Sequence, residues 1–213
     1  MDATTEALTP RLTPLGLVLA VAGGATAAGV MGFVYHQVAN KAGIDFIIAL
    51  AVIVGAAVGL AVGVASRLGG LRAMTVVAVV AFVFGVVGYA ARYFFQFNEE
   101  VETIVQEVGA DAQAAGVSLD DVREAVLADL ADAYPPGGFF GYMQFVAESG
   151  FSIGSRSSEG DAPIQGGLAW GLLAVEAIAS GIAAVSTARN LLKSKPAPVL
   201  PAAPPSGIPP ANP

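Results

Sequence analysis

The sequence predicts an all-α, polytopic membrane protein with four transmembrane helices and a small helical extracytoplasmic insertion between the third and the fourth. Three observations favour this fold class. Only 13% of the 213 residues are charged and 55% are hydrophobic, whereas soluble domains carry roughly a quarter charged residues. Four apolar runs are each close to the length of about 20 residues at which a helix spans a bilayer. Basic residues follow the second and fourth runs, whereas most acidic residues lie between the third and the fourth.

The apolar runs predict the four spanning helices directly. They cover residues 15–35, 46–66, 73–95 and 166–188. The second and third runs hold no charge until Arg67 and Arg92, at or beyond their ends. A helix that is apolar on every side for this length needs lipid as its solvent.

The first run has an alternative interpretation as a cleaved signal peptide. Its sequence GGATAA, at residues 23–28, offers the small residues of a cleavage site. However, the apolar run continues to Tyr35, and the segment before it holds one Arg and two acids. We therefore favour an uncleaved first helix.

Orientation follows from the basic residues near the helix ends, because Lys and Arg accumulate on the cytoplasmic side. The loop after the second run carries Arg67 and Arg72, and the tail after the fourth carries Arg189, Lys193 and Lys195. In contrast, residues 98–161 contain 13 of the 17 acids. The sequence thus predicts a cell (inner) membrane protein with both termini in the cytoplasm.

This topology divides the chain into five parts. They are a cytoplasmic N-terminus (1–14), three spanning helices (15–95), an acidic extracytoplasmic segment (96–165), the fourth spanning helix (166–188), and a tail that is basic and then proline-rich and disordered (189–213).

The acidic segment predicts a pair of helices of its own. Asn98 is a suitable N-cap, and Gly116 suits the end of the first helix. Ser118 and Asp121 resemble a capping box, and the sequence YPPGG at residues 134–138 ends the second helix. About 40 residues cannot bury a core alone. We expect the hairpin to pack against the membrane helices, against a partner, or against the aromatic stretch 139–151. That stretch either lies in the membrane interface or forms the base of the hairpin core.

Small residues recur every four positions along the spanning helices. The candidate packing positions are Gly55, Gly59 and Gly63 in the second helix, Gly24 and Gly32 in the first, and Gly181 in the fourth. Such stripes let helix backbones approach closely in lipid. We favour packing within one four-helix bundle. The alternative is that one stripe forms an interface between copies.

Glu176 is the most informative single residue, because an ionisable group in mid-membrane suggests a function by default. It lies ten residues into the fourth run, and Ser180 and Tyr89 are candidate hydrogen-bond partners. The functional hypothesis is a carboxylate that handles protons or cations. The alternative, which we favour, is a structural acid bonded to a neighbouring helix. Arg92 is expected nearer the outer surface, as an interfacial anchor.

Several function classes find no support in the sequence. The chain has no cysteine and one histidine, His36, so thiol catalysis and thiolate metal sites are excluded. The sequence contains no phosphate-binding loop and no known catalytic motif. The basic clusters are too small to bind nucleic acid. We expect no catalytic residue, metal or cofactor.

The fourth run, GGLAWGLLAVEAIASGIAA at residues 166–184, resembles uncharacterised bacterial four-helix integral membrane proteins. The resemblance implies a membrane fold and no particular activity. We therefore expect a non-enzymatic accessory or scaffold subunit that assembles through glycine-rich faces, with itself or with another membrane protein, and presents the acidic segment outside. The alternative is a small oligomeric channel or transporter that uses Glu176.

Overall fold

A computed structural model of the chain describes residues 12–42, 48–150 and 163–194. These ranges contain six α-helices: α1 (Pro14–Ala42), α2 (Ile48–Leu68), α3 (Met74–Ala114), α4 (Leu119–Ala133), α5 (Gly138–Ser149) and α6 (Gly166–Lys193). Most of the predicted N-terminal segment, the connection that begins at residue 151 and the predicted proline-rich tail lie outside the described residues.

Four of the helices, α1, α2, α3 and α6, are long and apolar enough to cross a membrane. They coincide with the four predicted apolar runs, so the prediction of four long apolar helices is confirmed. The structure extends α1 by about two turns and α6 by more than one turn beyond the predicted ends. Length and composition therefore agree with a multi-pass membrane protein.

The third helix corrects one prediction. The expected break at Asn98, with a new helix capped there, is wrong because α3 runs unbroken for 41 residues. The Asn98 amide donates to the carbonyl of Phe94 at 2.7 Å, one turn back, and the Thr103 hydroxyl donates to Glu99 at 2.8 Å. At 1.5 Å per residue α3 is about 60 Å long, roughly twice the thickness of a hydrocarbon core.

The boundary expected at residue 96 therefore falls inside a helix. Composition changes there, from apolar to acidic, but the backbone hydrogen bonding does not. The N-terminal half of α3 belongs to the four-helix bundle, and its C-terminal half is the first helix of the acidic hairpin.

The bundle of α1, α2, α3 and α6 has small and polar residues inside and large apolar residues outside. Alanine, glycine, valine and serine dominate its interior, including Ala28, Val58 and Ser180. Large side chains such as Val18, Ile53 and Ile182 are exposed on its outside. A soluble bundle has the opposite distribution.

Glycines account for the close approach of the bundle helices. A Cβ at Gly55 or Gly59 would overlap the backbone of Ser180 or Ala184 in α6, and α2 and α6 form the most extensive pairing in the fold. The other candidate packing glycines are equally enclosed: Gly63 lies against α6, Gly24 against α2 and α3, Gly32 against α3, and Gly181 against Phe82. All six lie in contacts within one chain.

The two ends of the bundle differ in charge. An Arg67 guanidinium nitrogen donates to the carbonyl of Ser194 at 3.1 Å, so the C-termini of α2 and α6 share one end of the bundle. We call this the basic end, because Arg67, Arg72, Arg189 and Lys193 belong to the helix ends and loop found there. The opposite end, which carries the hairpin of α3 and α4, is the hairpin end.

The second helix of the hairpin is capped as the sequence predicts. The Ser118 side chain accepts from the Asp121 amide at 3.2 Å and begins α4, which confirms Ser118 as the N-cap, and its hydroxyl donates to the Asp121 carboxylate at 2.7 Å. Gly116 has a φ of +85° and ends α3, as expected for a residue in the left-handed region.

The aromatic stretch forms α5 and fills the base of the hairpin. The core there is formed by Phe97, Val101, Val105, Val122 and Tyr142, with Phe139 and Val146 packed against it. Phe140, on the other face of α5, is 72% exposed. The interpretation as the base of the hairpin core is therefore confirmed for Tyr142, while Phe140 points away from that core.

The glycine contacts give a test of the bundle. Gly59→Ala should destabilise the protein by about 1–3 kcal/mol, because the added methyl group overlaps backbone that cannot move without separating α2 from α6. Gly29→Ala is the matched control, since nothing lies within 4 Å of the position of its Cβ. Unfolding midpoints in mixed detergent micelles measure both. Equal midpoints for the two variants would contradict this packing.

Candidate functional site

Glu176 is the centre of the candidate site. It is 0% exposed and lies ten residues after the start of α6, about 15 Å along the helix. A carboxyl group buried this deeply is costly unless other groups bond to it.

Two tyrosines on different helices donate to the Glu176 carboxylate. The Tyr89 hydroxyl of α3 donates to its Oε2 at 2.9 Å. The Tyr35 hydroxyl of α1 donates to its Oε1 at 3.4 Å, the longer and weaker of the two bonds. One carboxylate therefore joins α1, α3 and α6. The sequence pointed to Tyr89 as a partner but missed Tyr35, which it assigned to the end of a helix.

Arg92 lies in the same place, and its expected role as an interfacial anchor is wrong. It is 3% exposed, and its guanidinium carbon lies 4.6 Å from the centroid of the Tyr35 ring and 4.9 Å from that of Tyr93. Arg92 also interacts electrostatically with Glu176. Because α3 continues for more than five turns past Arg92, this residue is not at a helix end. We call Tyr35, Tyr89, Arg92, Tyr93 and Glu176 the polar cluster.

The Ser180 hydroxyl has a different hydrogen-bond partner from the one expected. It donates to the backbone carbonyl of Gly85 at 2.8 Å and so ties α6 to α3, one turn from Glu176 toward the basic end. That carbonyl is reachable because Gly85 and Gly181 have no side chains where the two helices cross.

A second polar contact joins α1 to the outer half of α3. His36 Nε2 lies 2.6 Å from a Glu99 carboxylate oxygen, and the Asn40 amide lies 3.5 Å from the same oxygen. His36 is buried and Glu99 is half-exposed. The sequence analysis did not pair these residues because it placed them in separate segments.

The hairpin end of the polar cluster meets Tyr142 of α5. Burial, and then the neighbouring carboxylate of Glu100, raise the pKa of the Tyr142 phenol, so this side chain stays neutral under ordinary conditions. Gln96 donates to Glu100 at 3.0 Å. These residues continue the polar side chains of α3 from the bundle into the hairpin.

The described residues show the chemistry that this arrangement can support. Hydroxyls, one carboxylate and one guanidinium can hold and exchange protons. Among the described ranges, no group of three His, Asp or Glu side chains is placed to hold a metal ion. The site is suited to binding a proton or to fixing helices together.

No protein-family model matches this chain, and no curated protein or solved structure does either.

The polar cluster predicts an energetic coupling between α3 and α6. Tyr89→Phe should destabilise the protein by about 0.6 kcal/mol, the average for hydrogen bonds between membrane helices, and by about 1.7 kcal/mol at most. In a Glu176→Leu background the same change should cost much less, because the acceptor is gone. Denaturation of the single and double variants measures this coupling. Tyr134→Phe, in the hairpin, is the control, and its effect on stability should add to that of Glu176→Leu. If the effects of Tyr89→Phe and Glu176→Leu were also additive, the hydrogen bond between Tyr89 and Glu176 would be refuted.

Proposed function

We propose that this chain is a non-enzymatic accessory subunit of the cell membrane, whose four-helix bundle holds an acidic helical hairpin outside for a partner. The observation that carries the proposal is the continuity of α3. One helix belongs both to the bundle, through the polar cluster, and to the hairpin, through its packing on α4 and α5. A partner that binds the hairpin therefore meets a surface fixed relative to the bundle.

The distribution of residues supports insertion in a membrane. The outside of the bundle carries large apolar side chains around all four long helices, and its interior is small and polar. Lipid solvates such an outside surface, whereas in water it would aggregate. Trp170, half-exposed near the start of α6, suits the level of the lipid headgroups at the hairpin end.

The charge difference between the two ends supports the orientation. The basic end has arginine and lysine at its helix ends, and the hairpin end has most of the acids. The positive-inside rule then places the basic end and both termini in the cytoplasm. The hairpin lies outside, on the periplasmic side of an inner membrane.

The glycine faces support packing within one bundle over assembly with a second copy. All six candidate glycines lie against helices of the same chain, so they build the bundle and are not free to bind a second copy. The surface left for a partner is the hairpin. Its exposed acids, including Glu107, Asp111, Glu124 and Asp132, favour a partner segment with lysine or arginine.

The orientation can be tested with single cysteines, because the chain has none of its own. Glu124→Cys, exposed on α4, should react with a membrane-impermeant maleimide in intact spheroplasts. Arg72→Cys, at the basic end, should react only after the membrane is permeabilised. Gel shifts measure both. Reaction of Arg72→Cys in sealed spheroplasts would overturn the orientation.

The accessory role can be tested with the same cysteine. Glu124→Cys carrying a photoactivatable crosslinker should give one discrete adduct in membranes, because the hairpin faces its partner. Val79→Cys, exposed on the bundle half of α3, is the control and should crosslink to lipid. Replacing the acids around Glu124 with lysine should abolish the adduct. An adduct that survives this charge reversal, or none at all, argues against an acidic docking surface.

A second candidate is an oligomeric channel or transporter for protons or cations that uses Glu176. The observation in its favour is the buried carboxylate with three hydroxyl groups around it. Proteoliposomes separate the two candidates, since Glu176→Gln should abolish a proton flux if the chain conducts one. An accessory subunit gives no flux before or after the change.

A further inference from the structure

The polar cluster is not isolated, because it continues along one face of α3 toward the hairpin. Tyr89, Tyr93, Gln96 and Glu100 are spaced by three or four residues, so their side chains form one row on the helix. The row begins at Glu176 and ends at Glu100, which is partly exposed. It therefore joins a buried carboxyl group to the surface of the hairpin.

The contacts at the Glu176 end of this row are close enough to pass protons. Tyr89 donates to Glu176 at 2.9 Å, and the hydroxyl oxygens of Tyr89 and Tyr93 are 3.3 Å apart. Because Tyr89 has one hydrogen and gives it to Glu176, Tyr93 is the donor in the second pair. The phenol of Tyr142 interacts electrostatically with both Tyr93 and Glu100.

Tyr142 of α5 continues the row toward the surface. Tyr93 and Arg92 both act electrostatically on its phenol, and the carboxylate of Glu100 lies beside it. Arg92 Nη1 is buried there without a hydrogen-bond partner from the described part of the chain. The buried end of the row and Glu100 therefore meet at Tyr142.

The opposite direction is closed. From Glu176 toward the basic end, the bundle interior holds two buried hydroxyls, those of Ser180 and Ser66, among closely packed small apolar residues: Gly59, Val62, Gly181, Ala184 and Ala188. The Ser180 hydroxyl donates to a backbone carbonyl. No row of ionisable side chains continues there among the described residues.

We propose that Glu176 is a proton-binding site that exchanges with water only from the hairpin end, through Tyr93 and Tyr89. A proton enters from water near Glu100. Each tyrosine O–H bond breaks as its oxygen takes a proton from the group before it, and the last proton forms the O–H bond of the Glu176 carboxylic acid. Every phenol is neutral before and after the transfer, and the net change is one proton moved from water to Glu176.

The groups that face Glu176 come from each helix around it. α1 contributes Tyr35, α3 contributes Tyr89, Arg92 and Tyr93, and α5 brings Tyr142 to the outer end of the row. The one charged side chain of α2, Arg67, is at the basic end. His36 is held by Glu99 near the hairpin end.

The proposal rests on the membrane placement above, but its test refers to the hairpin side, whichever compartment that is.

Infrared spectroscopy of sealed proteoliposomes tests the proposal. Their orientation is measured by maleimide labelling of Glu124→Cys, and the carboxylic acid band of Glu176 is identified by its loss in Glu176→Gln. A pH jump on the hairpin side should change this band before the opposite compartment changes pH. A band that follows the basic side, follows both sides equally or never responds would overturn the proposal.

Two matched variants separate a proton relay from a structural role. Tyr93→Phe keeps the ring but removes the relay hydroxyl, so the response should slow by on the order of a hundredfold. Tyr134→Phe removes a hydroxyl of the hairpin that lies outside both the row and the polar cluster, so the rate should hold. If Tyr93→Phe unfolds the protein, Tyr142→Phe tests the same row from its outer end. An unchanged rate in a folded row variant refutes the relay.

Discussion

The unbroken backbone hydrogen bonding of α3 is the constraint on which the rest of the structure depends. All five other helices contact α3, and its 41 residues pass from the apolar bundle into the acidic hairpin without a break. A helix satisfies its own backbone groups in lipid and in water alike. The same element can therefore serve both environments, and only its side chains change from one to the other.

Two kinds of contact hold the bundle around the inner half of α3. Glycines bring α2 against α6 at backbone distance, where packing replaces the hydrophobic drive that lipid does not provide. The polar cluster then fixes α1, α3 and α6 to one carboxylate. Because an unpaired carboxyl group is costly in this interior, separating the helices would leave Glu176 without its hydrogen-bond partners. The same contacts place Glu176 next to the row of polar side chains on α3.

The sequence predicts the four long helices well, because their length and hydropathy do not depend on tertiary contacts. It also predicts the Ser118 cap, which is a local interaction. It fails at Asn98, where a change from apolar to acidic composition resembles the start of a new helix but occurs inside α3. Because a helix end was expected near Asn98, Arg92 was expected at a helix end, and the contact of His36 with Glu99 was not expected. The partnership of Glu176 with Tyr35 could not be predicted, since it depends on how α1 and α6 face each other across α3.

A distance between two spin labels shows directly whether α3 is one rigid helix from the bundle into the hairpin. Val79→Cys and Ile104→Cys, 57% and 43% exposed, lie on nearly the same face of α3 in a chain without other cysteines. Their separation of 25 residues corresponds to about 38 Å. Pulsed electron paramagnetic resonance in lipid should give one narrow distribution near that distance. A broad distribution, or one centred well below it, would show a hinge between bundle and hairpin and contradict the account.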